Sequence, residues 1–185
     1  SNRVVIAGYG PTAQNLASAL QAQQSPYLII EMNINTIKRL QQQGIPCMYG
    51  DISHTDILKG ADIEHSRMLA ITFPDIRTAD LAIQRAKELN PNLYCLVRSR
   101  YRGDIDKLYT SGADEVVYEE FETSVSFVFN ILRQLEFPLG QIDRMIAAIR
   151  DRALAEIARV ASAHVLMLEP FRDANRRGLR RLYAL

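Results

Sequence analysis

The stretch Arg3-Val4-Val5-Ile6-Ala7-Gly8-Tyr9-Gly10-Pro11-Thr12-Ala13 constrains the chain more than any other. Its β-branched run predicts a buried strand over about 3–8. The run breaks at Gly8, and from Thr12 onward Leu16, Ala17 and Leu20 return at helical spacing. Strand, glycine turn and helix in that order form the context a dinucleotide fingerprint needs. Gly8 permits the tight turn, and Gly10 lets a pyrophosphate approach the backbone. Ala13 takes the third position, where close helix–strand packing accepts Gly or Ala. The amides and positive end of the helix then face the phosphates.

Such a loop also serves as a plain turn, so the next acidic residue carries weight. Tyr27-Leu28-Ile29-Ile30 predicts a second buried strand, with Glu31 at its end, 21 residues beyond Gly10. That is close to the spacing of roughly 20 for a carboxylate that holds a ribose. The plainer alternative is a solvated strand-end charge beside a glycine turn.

Strand and helix signals alternate through the rest of the first 120 residues. The first helix runs to about Gln24, ended by Ser25-Pro26. After strand two (27–31), Asn33 or Asn35 caps a helix carrying Ile34, Ile37 and Leu40 toward the core, which stops at Gly44. Strand three spans Ile45 to Tyr49 and ends in Gly50-Asp51-Ile52-Ser53. Ser53 or Thr55 opens a short helix ending near Gly60. Strand four is 67–73, and Pro74-Asp75 begins a long helix with Ala79, Ala82, Ile83 and Ala86 inward. Strand five is 93–97, followed by Arg98-Ser99-Arg100. A helix over 102–111 leads to Gly112-Ala113-Asp114, and strand six is 115–118. Six strands with crossovers predict an open, doubly wound, mostly parallel α/β sheet followed by a helical C-terminal extension. Such sheets bind ligands at the carboxyl ends of their strands, where strand order reverses. Gly8–Thr12, Glu31, Gly50–Asp51 and Thr72–Phe73 all fall at such ends.

Of the 185 residues, 48% are hydrophobic, which suits one compact domain with an appendage. With 22 Lys and Arg against 21 Asp and Glu, the net charge of +1 carries no electrostatic footprint for nucleic acid. No apolar run approaches the roughly 18 residues of a membrane span, and no signal peptide precedes the first strand, so the chain reads as soluble. The abrupt start after Ser1-Asn2 reads as a domain cut from a longer protein. Cys47 and Cys95 lie in apolar, strand-like segments and read as small buried side chains. Their spacing makes no metal motif.

Over 120–137, Phe121, Val125, Val128, Leu132 and Leu135 form one helical stripe, and Phe127, Phe129 and Ile131 widen it. A helix packed only on its own domain needs one stripe of 100° or a little more. The alternatives are a central core helix and a helix that crosses onto another subunit, and the apolar excess favours the second. Leu139-Gly140 reads as a turn before a second helix over about 141–163, where apolar positions interleave with Arg144, Arg150, Arg152 and Arg159. From Glu169 the tail carries Arg172, Arg176, Arg177, Arg180 and Arg181 against Asp173. It reads as a solvated terminal helix, or as a contact for lipid headgroups or an acidic partner.

Taken together, Val4-Val5-Ile6-Ala7-Gly8-Tyr9-Gly10, Ile30-Glu31, Tyr49-Gly50-Asp51 and Gly112-Ala113-Asp114-Glu115-Val116-Val117 resemble the N-terminal half of RCK domains, also called KTN or TrkA-N domains. The similarity covers about 3–137. The extension after 137 looks more like the cytosolic end of a Kef-type cation:proton antiporter than a channel's RCK domain, and no small β-rich second subdomain is evident. The resemblance implies a Rossmann-like nucleotide-binding domain over 1–120, a crossover and dimerisation helix over 121–137 and a helical extension over 138–185. It implies regulation of a membrane-embedded potassium or monovalent-cation transporter, in the same or a partner chain, from the cytoplasmic face of the membrane.

In such domains Gly8, Tyr9, Gly10, Pro11 and Thr12 would hold phosphates, and Glu31 the adenosine ribose. Gly50, Asp51 and Ile52 would lie along the adenine, while Thr72, Phe73 and Pro74 close the other side. Arg98, following strand five, would meet a phosphate or a nicotinamide-side group. The implied ligands are NAD(H), AMP, ADP or ATP. Pro11 departs from the usual basic or small residue and removes one amide donor. Asn33, rather than Arg, follows the acidic site, and a carboxylate repels a 2′-phosphate, so NADP is disfavoured.

The alternative from another class is an NAD-dependent oxidoreductase with its substrate part in the extension from residue 138. Hydride transfer needs a substrate pocket and usually an acid or base beside it. His54, His65 and His164 stand in no catalytic constellation and read as surface or capping residues, and the extension offers no nucleophile–base pair. Asp75 and Arg77 lie near the fourth strand end, within reach of a ligand, but helix capping explains Asp75 equally well.

Overall fold

The computed structural model describes residues 2–167. Residues 168–185, which include the tail arginines from Arg172 to Arg181, lie outside that range, as does the side chain of His164. The first unit, 1–117, holds six strands: β1 (Val4–Ala7), β2 (Tyr27–Glu31), β3 (Cys47–Tyr49), β4 (Met68–Ile71), β5 (Tyr94–Ser99) and β6 (Glu115–Tyr118), the last ending at the boundary with the second unit. The helices between them are α1 (Pro11–Ala22), α2 (Ile34–Gln42), α3 (Thr55–Gly60), α4 (Ile76–Leu89) and α5 (Ile105–Ser111). The sheet order is β3-β2-β1-β4-β5-β6, all parallel. Chain direction across the sheet therefore reverses between β1 and β4, whose register pairs Ala7 with Ile71. This is the doubly wound Rossmann-like topology that the alternating pattern predicts.

Strand alternation sorts the core into two layers. Val5, Ala7 and Ile30 face a cluster with Ala79, Ala82, Ile83 and Ala86 of α4. Val4, Ile6 and Ile29 face Ala13 and Ala17 of α1 and Leu40 of α2. Successive side chains on a strand point to opposite faces, so a strand covered on both sides must be apolar throughout. That is why all four residues of β1 are buried. Full burial of a side chain such as Ile6 or Ile29 contributes about 1.5–3 kcal/mol. The alanines of α4 keep that helix close against the sheet.

Several local features differ from expectation. Thr55, one of the two expected residues, opens α3. Its N-cap is His54, which makes no side-chain cap bond, and the Ser53 hydroxyl is donated to Asp51. The predicted helix over 102–111 is a 3₁₀ turn at Arg102–Asp104 followed by α5. Cys47 is half-buried, its thiol 3.8 Å from the Ile37 carbonyl. Cys95 is buried, which pushes its thiol up to about 12. Asn33 is the cap of α2, accepting the Asn35 and Thr36 amides. Asp75 is the cap of α4, accepting the Thr78 amide at 2.8 Å.

The Gly112-Ala113-Asp114 step is structural. Gly112 ends α5 at φ +110°. Asp114 accepts the Cys95 amide at 2.8 Å and the Lys87 ammonium at 2.7 Å. One carboxylate thus ties the approach to β6 onto both β5 and α4.

The second unit runs from Tyr118 and contains α6 (Glu119–Gln134) and α7 (Leu139–Met167). Leu139-Gly140, expected as a turn, is the first turn of α7, with the Pro138 carbonyl accepting the Gln141 and Ile142 amides. The left-handed turn residue lies three positions before Leu139, at Glu136, with φ +61°. Arg150 of α7 makes a two-pronged pair with Glu122 of α6 at 2.6 and 2.8 Å, and its guanidinium stands 5.7 Å from the centroid of the Phe121 ring. Of the expected apolar stripe, Val125 is buried, and Phe121, Val128 and Leu132 are half-buried. Phe127, Ile131 and Leu135 are exposed. Among the described residues no helix is long and apolar enough to cross a membrane.

Candidate functional site

The carboxyl ends of β1 to β5 gather the sequence-predicted residues along one edge of the sheet. Gly8 leaves β1 at φ +89°, with its amide donated to the Ile30 carbonyl at 2.8 Å. A side chain here would be strained by that φ. Its Cβ would also stand 3.1 Å from both the Phe73 ring and the Thr72 hydroxyl. Gly10, the N-cap of α1, differs: its φ is −76° and a Cβ would meet no heavy atom within 4 Å. The space above Gly10 is open.

Pro11 occupies the first position of α1, where it removes an amide that the helix could not have used internally. The helix start has no side-chain cap and no acidic residue in its first turn. The amides of Thr12 and Ala13 therefore carry the positive end of the helix dipole into the open space beside Gly10.

Glu31 ends β2 and joins the glycine loop to the start of α2. One carboxylate oxygen accepts the Tyr9 amide at 2.9 Å, and the other accepts the Asn33 amide at 2.8 Å. A carboxylate offers about four lone-pair positions, so two donors leave room for the pair of hydroxyls on a ribose. Glu31 is half-buried, neither sealed in the core nor loose in solvent.

At the end of β3, Gly50 is buried and donates its amide to the Glu31 carbonyl at 3.1 Å. A Cβ on it would come within 2.5 Å of Ile57. Asp51 accepts both the amide and the hydroxyl of Ser53, at 2.9 and 2.8 Å, and Arg85 donates to the Ser53 carbonyl. Partial burial pushes the Asp51 carboxyl up, but the Ser53 donors, with His54 and Arg85 nearby, more than reverse this, and the net is below the usual carboxylate value. Ile52 has its side chain in the main core, 3% exposed, so only its backbone faces the edge.

At the end of β4 the Thr72 amide and hydroxyl both donate to the Ala7 carbonyl, at 3.1 and 2.8 Å. Phe73 and Pro74 are half-buried beside it. Arg98, expected just beyond β5, lies inside that strand, which continues to Ser99. Its guanidinium donates to the Thr72 carbonyl at 3.1 Å, so it braces the β4 end.

Three apolar side chains at this edge are exposed; sequence reasoning passed over Met32 and Tyr49, and it expected Ile34 to face the core. Met32 follows Glu31, Ile34 opens α2, and Tyr49 is the register partner of Glu31 on β3. An apolar residue directly beside a strand-end carboxylate was the signal available for them. A shallow groove of about 350 Å³ lies elsewhere, lined by Gln24, Tyr27, Gly44 and Pro46 among others. It sits at the amino ends of β2 and β3, away from the glycine loop and its amides. Chemistry therefore places the candidate site at the carboxyl edge. Among the described residues no cluster of His, Cys, Asp and Glu could hold a metal ion.

Known proteins resemble this chain in sequence and in fold. A putative K(+) efflux antiporter KefB of Alkalimonas amylolytica is 29% identical over 143 residues, which cover 77% of this chain and 22% of that protein. The Shewanella denitrificans Kef CTD in its AMP-bound form superposes with a TM-score of 0.73 at 22% identity, covering 88% of this chain and 99% of that one. The GsuK channel bound to NAD gives a TM-score of 0.62 at 15% identity, covering 69% of this chain and 23% of that one. At those identities the two structures show a common fold. Residues 4–119 match the TrkA-N domain, and the chain belongs to that family.

Proposed function

We propose that this chain is a nucleotide-sensing regulatory domain of a potassium or monovalent-cation transporter or antiporter, working at the cytoplasmic face of the membrane. It binds NAD(H) or an adenosine mono-, di- or triphosphate at the carboxyl edge of the sheet and passes the signal on through a homodimer. The observation that carries this reading is Glu31. Its two oxygens sit on the Tyr9 and Asn33 amides, beside the open space over Gly10, with lone pairs left for ribose hydroxyls. Phosphoryl groups then lie on the first turn of α1. The exposed Met32, Ile34 and Tyr49 offer apolar surface to a base. The AMP-bound and NAD-bound relatives in fold support this choice of ligand class.

In this reading residues 1–120 sense the ligand, 121–137 form the crossover helix and 138–185 the extension. Dimerisation uses Phe127, Ile131 and Leu135, exposed on α6 and just beyond it. A ligand shifts a dimer between arrangements only by its difference in affinity for the two. Calorimetry tests the sensor. Saturable binding of AMP, ADP or NAD(H) is expected, strongly weakened by Glu31→Ala and by Gly10→Val. No heat with any adenosine ligand at millimolar concentration would remove the reading.

A further inference from the structure

The β4 end is held from two sides. Thr72 donates twice to the Ala7 carbonyl, and the Thr72 carbonyl accepts from Arg98 at 3.1 Å. The next residue, Phe73, is packed against the main core. Its ring lies over Gly8, with Cδ1 3.1 Å and Cε1 3.9 Å from where a Gly8 Cβ would stand. Gly8 and Thr72 directly follow the two strands between which the chain direction reverses. In an open sheet of this order, a dinucleotide on the glycine loop crosses that crevice to put its second half over β4 and β5. Here the Phe73 ring stands beside Gly8 at that crossing, and the residue before it is held by three hydrogen bonds. A ligand that ends at its first phosphates needs only the β1 to β3 side.

We propose that Phe73 makes this a mononucleotide site. The cleft takes adenosine mono- or diphosphate, and the ring excludes dinucleotides by occupying the path of their second half. This rests on the nucleotide reading of the same edge and narrows its ligand class. Exclusion by a steric clash, without any lost attraction for the favoured ligand, is a common route to specificity.

The test is calorimetric titration of the whole chain with AMP, ADP and NAD, on wild type, Phe73→Ala and Phe73→Leu, with thermal melts to show that each variant is folded. Wild type should bind AMP or ADP at least about tenfold more tightly than NAD. Both variants should narrow that ratio by about tenfold through tighter NAD binding. Phe73→Leu keeps apolar packing and serves if the alanine variant melts early. Wild type binding NAD as tightly as AMP, or a ratio unchanged in both folded variants, overturns the proposal and leaves the nucleotide reading standing. No binding of any of the three ligands to wild type overturns both.

Discussion

Gly8 and Gly10 stand two residues apart and answer to different demands. Gly8 is required by the fold, since φ +89° and two neighbours at 3.1 Å leave no place for a side chain. Gly8→Ala should cost about 1–3 kcal/mol, read as a lower midpoint in urea. Gly10 is tolerant as far as the chain is concerned, having ordinary φ and open space. Gly10→Val should melt within about 0.5 kcal/mol of wild type while losing nucleotide. A large loss of stability in that variant would mean that the loop needs Gly10 for itself.

Asp75 makes a further prediction at the level of one side chain. The Thr78 amide, its main partner, holds its carboxyl below the usual value. Asp75→Ala should cost about 1 kcal/mol at neutral pH. A lowered folded pKa gives stability that is complete above the unfolded value near 3.9 and is lost as pH falls through the folded one. The gap between wild type and Asp75→Ala should therefore hold at pH 6 and close as the pH drops below about 4. A gap that persisted at pH 2 would contradict the cap as its source.

Among elements, α6 carries the clearest mismatch between burial and composition. Val125 is buried, while Phe127 at 69% and Ile131 at 59% exposure face outward. Burying two such side chains against another copy contributes several kcal/mol by area. Phe127→Asp combined with Ile131→Asp should convert a dimer to monomer by light scattering, with the helical signal in circular dichroism retained. A wild-type chain that stays monomeric at high concentration would remove the dimer. The Glu122–Arg150 pair has a different task, fixing α6 against α7 within one chain.

For the molecule as a whole, ligand and fold are linked through mass action. A nucleotide that binds only the folded state stabilises it by about 2.7 kcal/mol at one hundred times its Kd. For a chain of this size that corresponds to a Tm rise of about 5–10 °C. The rise should vanish in Gly10→Val and in Glu31→Ala, and its absence in wild type with AMP would argue against a preformed site.

What the sequence determined by itself is the layer order and the edge at which the candidate site residues gather. Unbroken apolar strands such as Val4–Ala7 can only be central and covered on both faces. The alternation with helices forces parallel crossovers, so strand-end residues far apart in the chain must meet on one edge. The roles of individual residues at that edge depended on three-dimensional neighbours that no periodicity encodes. Glu31 reaches the Tyr9 amide across 22 positions. Thr72 meets Ala7 across 65. Arg98 turns out to brace Thr72 from inside a strand, and Ile52 turns its side chain into the core. Spacing along a chain fixes which way a residue points on its own strand or helix. What it touches is set by the packing of elements brought together from elsewhere, and that is where the Phe73 ring came to lie over Gly8.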